Sequence, residues 1–109
     1  MRASPANAID SIVASGCIIS GSTVRRSLLF SNVRVRDYCT IEDSVLLPNV
    51  EVGRHSVLKR VVVDKHCRLP EGFTAGIDPD HDRRRFHVTE RGITLVVPEM
   101  LGQQAHFLR

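Results

Sequence analysis

A period of seventeen residues constrains this chain more than any other feature. Offset against itself by 17 positions, the sequence aligns Ile18 with Val35, Val52 and Leu69, and Val24 with Ile41, Leu58 and Ala75. The same offset aligns Leu28 with Val45 and Val62, Leu29 with Leu46 and Val63, and Val33 with Val50 and Cys67. Over rows 18–34, 35–51 and 52–68, five of the 17 columns are wholly apolar. With 42% hydrophobic residues, chance would supply about one such column. Repeats of this length cannot bury an apolar face alone and must stack.

Within each row an aliphatic residue recurs after six positions, from Ile18 to Val24, Val35 to Ile41 and Val52 to Leu58. That spacing is the hexapeptide pattern, in which three short strands make one triangular coil. Three full hexads would take 18 residues, so each coil of 17 is one residue short at a corner. Coils stacked at a strand spacing of about 4.8 Å make equivalent positions direct neighbours. The predicted fold is therefore an all-β parallel β-helix. With aromatics at only 5%, aliphatic columns must fill its interior.

The polar columns support the same register. Arg25, Glu42 and Lys59 align, as do Arg26, Asp43 and Arg60, and Arg34, Glu51 and Arg68; Asp37, Arg54 and Glu71 alternate in the opposite phase. Unlike charges on neighbouring strands favour this pairing over a slipped one. Asn32, Asn49 and His66 share a column whose residue types suit a left-handed corner. Residues 1–11 are expected to be an irregular leader, 12–75 the β-helix, and 76–109 a loop, hairpin and short helical cap. In the last part, Gly76–Asp82 reads as a polar loop and Glu90-Arg91-Gly92 as a hairpin turn between Arg85–Thr89 and Ile93–Val97. Pro98 opens a short helix that Gly102 stops.

Several function classes are disfavoured by composition. No apolar run approaches the roughly 18 residues of a membrane span, and the N-terminus lacks a signal-peptide core, so a cytoplasmic protein without a membrane partner is expected. Cys17, Cys39 and Cys67 form an odd set without CxxC, which argues against a disulfide scaffold or zinc knuckle. The net charge of +3 is mild, and its arginines alternate with acids, so nucleic acid is not an expected partner. His55 shares a column with Gly21, Tyr38 and Gly72, and His66 with the two asparagines; both read as corner residues rather than catalytic bases. Asp78, Asp80, His81 and Asp82 lack the glycine and terminal glutamate of a calcium loop. No catalytic or metal-ligating set is assigned. Lys65 at a corner and the run Arg83, Arg84, Arg85 fall outside the alternating columns. They are the candidate groups for a phosphate-bearing ligand, against the simpler reading of a solvated charged surface.

One family shares these words in order and spacing. Ser15-Gly-Cys-Ile-Ile-Ser-Gly-Ser22, Ser27-Leu-Leu-Phe-Ser31, Asp43-Ser-Val-Leu-Leu-Pro48, Pro70-Glu-Gly72, Arg84-Arg-Phe86 and the turn exit Gly92-Ile93 resemble the C-terminal domain of bacterial ADP-glucose pyrophosphorylase (glucose-1-phosphate adenylyltransferase). The likeness covers about residues 7–101. It implies a left-handed β-helix and an enzyme that makes ADP-glucose and pyrophosphate from ATP and glucose 1-phosphate for glycogen synthesis. It also implies a homotetramer, with magnesium and ATP held by an N-terminal nucleotidyltransferase domain, none of whose motifs is present here. The chain is thus expected to be a fragment that is inactive alone. In the family this domain packs on the catalytic domain, joins subunits and contributes to sites for phosphorylated effectors.

By the same resemblance Lys65 stands where relatives carry an arginine of the nucleotide inhibitor site. Pro98 and Gly102 stand where enteric relatives carry arginines that bind the sugar bisphosphate activator, a departure that leaves the activator's identity open. Two readings from other classes stay beside this one. A small hexapeptide acyltransferase would use His55 or His66 as base at a subunit interface, and a scaffold would stack coils end to end.

Overall fold

The computed structural model describes residues 7–103. Four turns of parallel strand build a three-sided solenoid. The first turn holds β1 (Asn7–Ile9), β2 (Ile12–Val13) and β3 (Ile18–Ile19). The second holds β4 (Thr23–Arg25), β5 (Leu28–Leu29) and β6 (Arg34–Val35). The third holds β7 (Thr40–Glu42), β8 (Val45–Leu46) and β9 (Glu51–Val52). The fourth holds β10 (Val57–Lys59), β11 (Val61–Val63) and β12 (Arg68–Leu69). After them come β13 (Thr74–Ala75), α1 (Pro79–Arg85), β14 (His87–Val88), β15 (Thr94–Val96) and a 3-10 turn at Pro98–Leu101.

The strands stack into three sheets, ordered β1-β4-β7-β10-β13, β2-β5-β8-β11-β15-β14 and β3-β6-β9-β12. From the second turn onward the 17-residue register holds in every sheet, as in Val24↔Ile41, Leu29↔Leu46 and Val35↔Val52. The first turn differs. Ile18 faces Arg34 and Ile19 faces Val35, so this turn is a residue shorter than the rest. The expected column of Ile18 with Val35 is therefore corrected to Ile19 with Val35. Ile18 points outward and is 46% exposed. Residues 7–9, expected in an irregular leader, form β1 and pair in parallel with β4.

The interior is a set of files. Val24, Ile41, Leu58 and Ala75 line one wall, Leu29, Leu46, Val63 and Val96 a second, and Val35, Val52 and Leu69 a third; all are buried. Three corner files complete it, one of Val33, Val50 and Cys67 and one of Ser22, Cys39, Ser56 and Phe73, every member buried. In the third, a hydroxyl takes the place of a ladder partner. Ser11 Oγ accepts the Ser27 N–H, Ser27 Oγ the Ser44 N–H, and Ser44 Oγ the Val61 N–H, at 3.1, 3.1 and 3.2 Å.

Each corner needs one residue with positive φ. Asn32, Asn49 and His66 supply it at one corner (φ 60, 65 and 64°), and Gly21, Tyr38, His55 and Gly72 at another (48, 66, 63 and 75°). The third uses Asp10, Arg26, Asp43 and Arg60 (51, 48, 50 and 55°), residues whose sequence pattern shows only a charge ladder. There Arg26 Nε donates to Asp43 Oδ1 at 2.7 Å and Nη2 to Oδ2 at 3.2 Å. That bidentate contact holds the Asp43 carboxyl below its ordinary range and raises Arg26. The column Arg34-Glu51-Arg68 is in register, but Glu51 makes its ion pair diagonally, with Arg36 at 3.5 Å.

The polar loop expected at Gly76–Asp82 is largely helix. Asp78 caps α1 by accepting from the N–H groups of Asp80 and His81, Pro79 occupies the first turn, and Arg83, Arg84 and Arg85 fill the last. These are the cap and charge preferences of a helix, and they suffice without an apolar face. Arg85, expected to open a strand, is the last helical residue. The strand after α1 is short, and β15 is antiparallel to β14 but parallel to β11, in the pairing Val62↔Leu95. The cap therefore adds a further strand to the solenoid wall.

Candidate functional site: an apolar wall and a cationic groove

The three walls differ on their outer side. In the sheet of β2, β5, β8, β11 and β15 the outward residues are Ile12, Leu28, Val45, Val62 and Leu95, each facing the next. All five are aliphatic. One step along, Phe30 and Leu47 widen the patch; Ile12 is 68% exposed and Phe30 43%. On the sheet of β1 and β4 the same positions carry Thr23, Thr40, Val57 and Thr74 beside Arg25, Glu42 and Lys59. On the third sheet they are Ile18, Arg34, Glu51 and Arg68. One wall of three thus carries a continuous outward aliphatic stripe, a pattern that recurs at contact surfaces.

The expected phosphate-binding cations do not form one cluster. Lys65 lies at the corner after β11, half-buried, its backbone N–H bonded to Asp64 Oδ1 at 2.8 Å. Arg83 pairs with Asp80 at 3.2 Å, with both side chains largely in water. Arg84 is exposed. Arg85 is placed differently: its guanidinium carbon lies 4.9 Å from the Phe86 ring centroid and 5.7 Å from that of Phe73. It lines a groove of about 450 Å³ with Arg68, Leu69, Met100, Leu101 and Gln103. Lys65 does not line this groove.

Sequence reasoning missed two members of that groove. Arg68 belongs to an alternating column, and that reading hid it as a free cation at the end of the ladder. Gln103 lies beyond the predicted helix stop. Its carboxamide accepts the Arg68 N–H at 3.0 Å and donates to the Arg68 carbonyl at 2.6 Å. Two guanidinium groups beside a primary amide, on a partly apolar floor, are chemistry for an oxyanion.

Other candidates resolve into structure. His55 stacks on Tyr38, centroids 4.9 Å apart and planes 15° apart, at the corner where both adopt positive φ. Cys39 and Cys67 are buried in the corner files. Asp78, Asp80 and Asp82 diverge: a helix cap, a partner of Arg83, and a buried acceptor of the Gly76 N–H. Among the described residues no group of three or more His, Cys, Asp or Glu could hold a metal ion. No helix among the described residues is long and apolar enough to cross a membrane.

Comparison with known proteins agrees with the solenoid. The family described as GlmU-like, C-terminal hexapeptide, matches residues 2–96. The glucose-1-phosphate adenylyltransferase of Nitrosomonas europaea is 65% identical over 102 residues, which are 94% of this chain and 24% of that protein. That of Dechloromonas aromatica is 63% identical over 98 residues, 90% of this chain and 22% of that protein. The chain thus spans about a quarter of the length of these relatives, and it matches their C-terminal part.

Proposed function

From the premise that the chain belongs to the GlmU-like C-terminal hexapeptide family, we propose that it is the β-helix module of a glucose-1-phosphate adenylyltransferase. In that reading the whole enzyme makes ADP-glucose and pyrophosphate from ATP and glucose 1-phosphate in the cytoplasm. A nucleotidyltransferase domain outside this chain holds ATP and magnesium. The module supplies two things, a surface that joins the catalytic domain and neighbouring subunits, and cations that answer to phosphorylated effectors. Effector binding between module and catalytic domain would shift the enzyme between two states by its differential affinity for them.

One observation carries the reading: the outward file Ile12, Leu28, Val45, Val62 and Leu95 on a single wall. Hydrophobic burial contributes about 25 cal/mol per Å², so leaving such a stripe in water forgoes stabilisation that docking recovers. The groove of Arg68, Arg85 and Gln103 supports the second role, with Lys65, Arg83 and Arg84 as cations outside it.

The test places a charge in the stripe of the whole enzyme. Val45→Glu points outward, so the module should keep its circular dichroism while the tetramer dissociates and effector response is lost. A Val45→Glu enzyme with unchanged sedimentation and unchanged effector response would overturn the docking role. The 109-residue chain alone should turn over no ATP with glucose 1-phosphate, and measurable turnover would overturn the modular reading.

A further inference from the structure

Arg85 is an exposed residue in the last turn of a seven-residue helix, and an arginine there ordinarily samples many rotamers, at about 2 kcal/mol of entropy. Here three groups fix it. Phe86 and Phe73 lie against its guanidinium, and His81 Nε2 lies 3.3 Å from its Nη1. An arginine can only donate, so Nε2 must be the acceptor and the ring proton sits on Nδ1. The surroundings of Nδ1 agree. It faces Asp82 Oδ1 at 3.6 Å, the one buried side-chain oxygen without a hydrogen-bond partner among the described residues. The other oxygen of Asp82 accepts from the Gly76 N–H at 2.7 Å and the Thr94 hydroxyl at 3.4 Å. Asp82, 2% exposed, is thereby fixed to the solenoid with its unbonded oxygen toward the imidazole.

We propose that His81 is a positioning residue that holds the Arg85 guanidinium at the groove while leaving its charge available to a phosphate oxyanion. This rests on the reading of the Arg68–Arg85 groove as a phosphoryl site. The choice of residue type is the argument. Elsewhere in the chain arginines are held by carboxylates, Arg26 by Asp43 and Arg83 by Asp80. A carboxylate orders a guanidinium but neutralises it and occupies its donor edge. A neutral imidazole acceptor orders it through one N–H and leaves the net positive charge and the remaining donors for a ligand.

The two effects separate by substitution. His81→Leu, His81→Gln and His81→Glu chains are compared with the wild type by ¹⁵N relaxation of the Arg85 side-chain Nε–Hε group and by titration with inorganic phosphate. Leucine should mobilise Arg85 and weaken phosphate about tenfold. Glutamine, which can accept at the same place, should keep Arg85 ordered and affinity within about twofold. Glutamate should keep Arg85 ordered yet weaken phosphate about tenfold. A purely structural role of His81 would not separate glutamine from glutamate in this way. An Arg85 as ordered in His81→Leu as in the wild type overturns the proposal, as does equal phosphate affinity in all four chains. Arg85→Ala distinguishes the underlying reading: if phosphate binds equally well without Arg85, the groove is not the phosphoryl site, and relaxation alone still decides whether His81 orders Arg85.

Discussion

Replacing Ser44 by alanine removes one oxygen from the hydroxyl file that links successive turns at a corner. Ser44 is 2% exposed; its Oγ donates to the Glu42 carbonyl at 2.8 Å and accepts the Val61 N–H at 3.2 Å. The two losses are unequal. The Glu42 carbonyl still accepts from the Arg60 N–H at 3.0 Å, so it keeps a partner. The Val61 N–H, on a residue with 0% exposure, has lost its acceptor and cannot reach water. An orphaned buried donor costs about 1–3 kcal/mol, which in a domain of this size lowers the midpoint by about 4–8 °C per kcal/mol. Ser56 provides the internal control. It is as buried as Ser44, but its hydroxyl only donates, to the Gly53 carbonyl at 2.6 Å. The next residue in its file, Phe73, sends its N–H to the Pro70 carbonyl instead. Ser56→Ala should therefore cost about 1 kcal/mol or less. Thermal unfolding by circular dichroism measures both, and amide exchange at Val61 reports the local effect. Equal losses in the two variants, or unchanged protection of the Val61 amide in Ser44→Ala, would refute the assignment of the cost to the orphaned donor.

Asp43 should titrate below an ordinary carboxylate because Arg26 hydrogen-bonds its charged form, and Arg26→Ala should return it upward, as read by carboxyl NMR shifts. Since the folded value is depressed, the small stabilisation is present above the unfolded value of about 3.9 and is lost as pH falls through the folded one; an Asp43 that titrates at the ordinary position in the wild type would contradict this. Gly53→Ala would bring a Cβ to 2.6 Å from the Pro70 carbonyl carbon and the Glu71 nitrogen, backbone atoms of the next turn, and should cost about 1–3 kcal/mol in urea unfolding. A loss below about 0.5 kcal/mol would show that the turns can part at that corner.

The solenoid was legible because inward positions recur in every turn while the corners vary. What escaped has physical reasons. Ile18 and Ile19 are both aliphatic, so pattern alone could not say which faces inward, and the shorter first turn was hidden. On the apolar wall, neighbouring residues such as Leu28 and Leu29 are both aliphatic, so the alternation that separates inside from outside vanishes along the aliphatic stripe. Helix α1 has a single buried residue, Asp82, and so no apolar periodicity; its signals are the cap Asp78, Pro79 and the charges of its first and last turns. The arginine run was visible as charge, but that Arg85 is stacked beside a groove, Arg83 paired and Arg84 left in solvent depends on Phe73, His81 and Asp80. Asp80 and His81 are helical neighbours of Arg83 and Arg85, legible only once α1 is recognised, while Phe73 lies outside that helix, and no spacing rule connects Arg68 or Gln103 to Arg85.

Gln103 closes one end of the sheet of β3, β6, β9 and β12 with a side-chain amide, satisfying both backbone groups of Arg68 as a further strand would. On the neighbouring sheet the antiparallel strand β14 takes the terminal place. A second molecule approaching Arg68 end-on finds its N–H and carbonyl already taken, and at β14 it meets an edge that runs antiparallel to the wall beneath. A coil stacked there would not continue the parallel ladder on these two sheets. Head-to-tail stacking, which repeats without limit and gives filaments, would have to displace Gln103 from Arg68 first, whereas a two-fold contact is complete once made. A single glutamine thus stands against open-ended stacking in a fold made of edge-exposing strands.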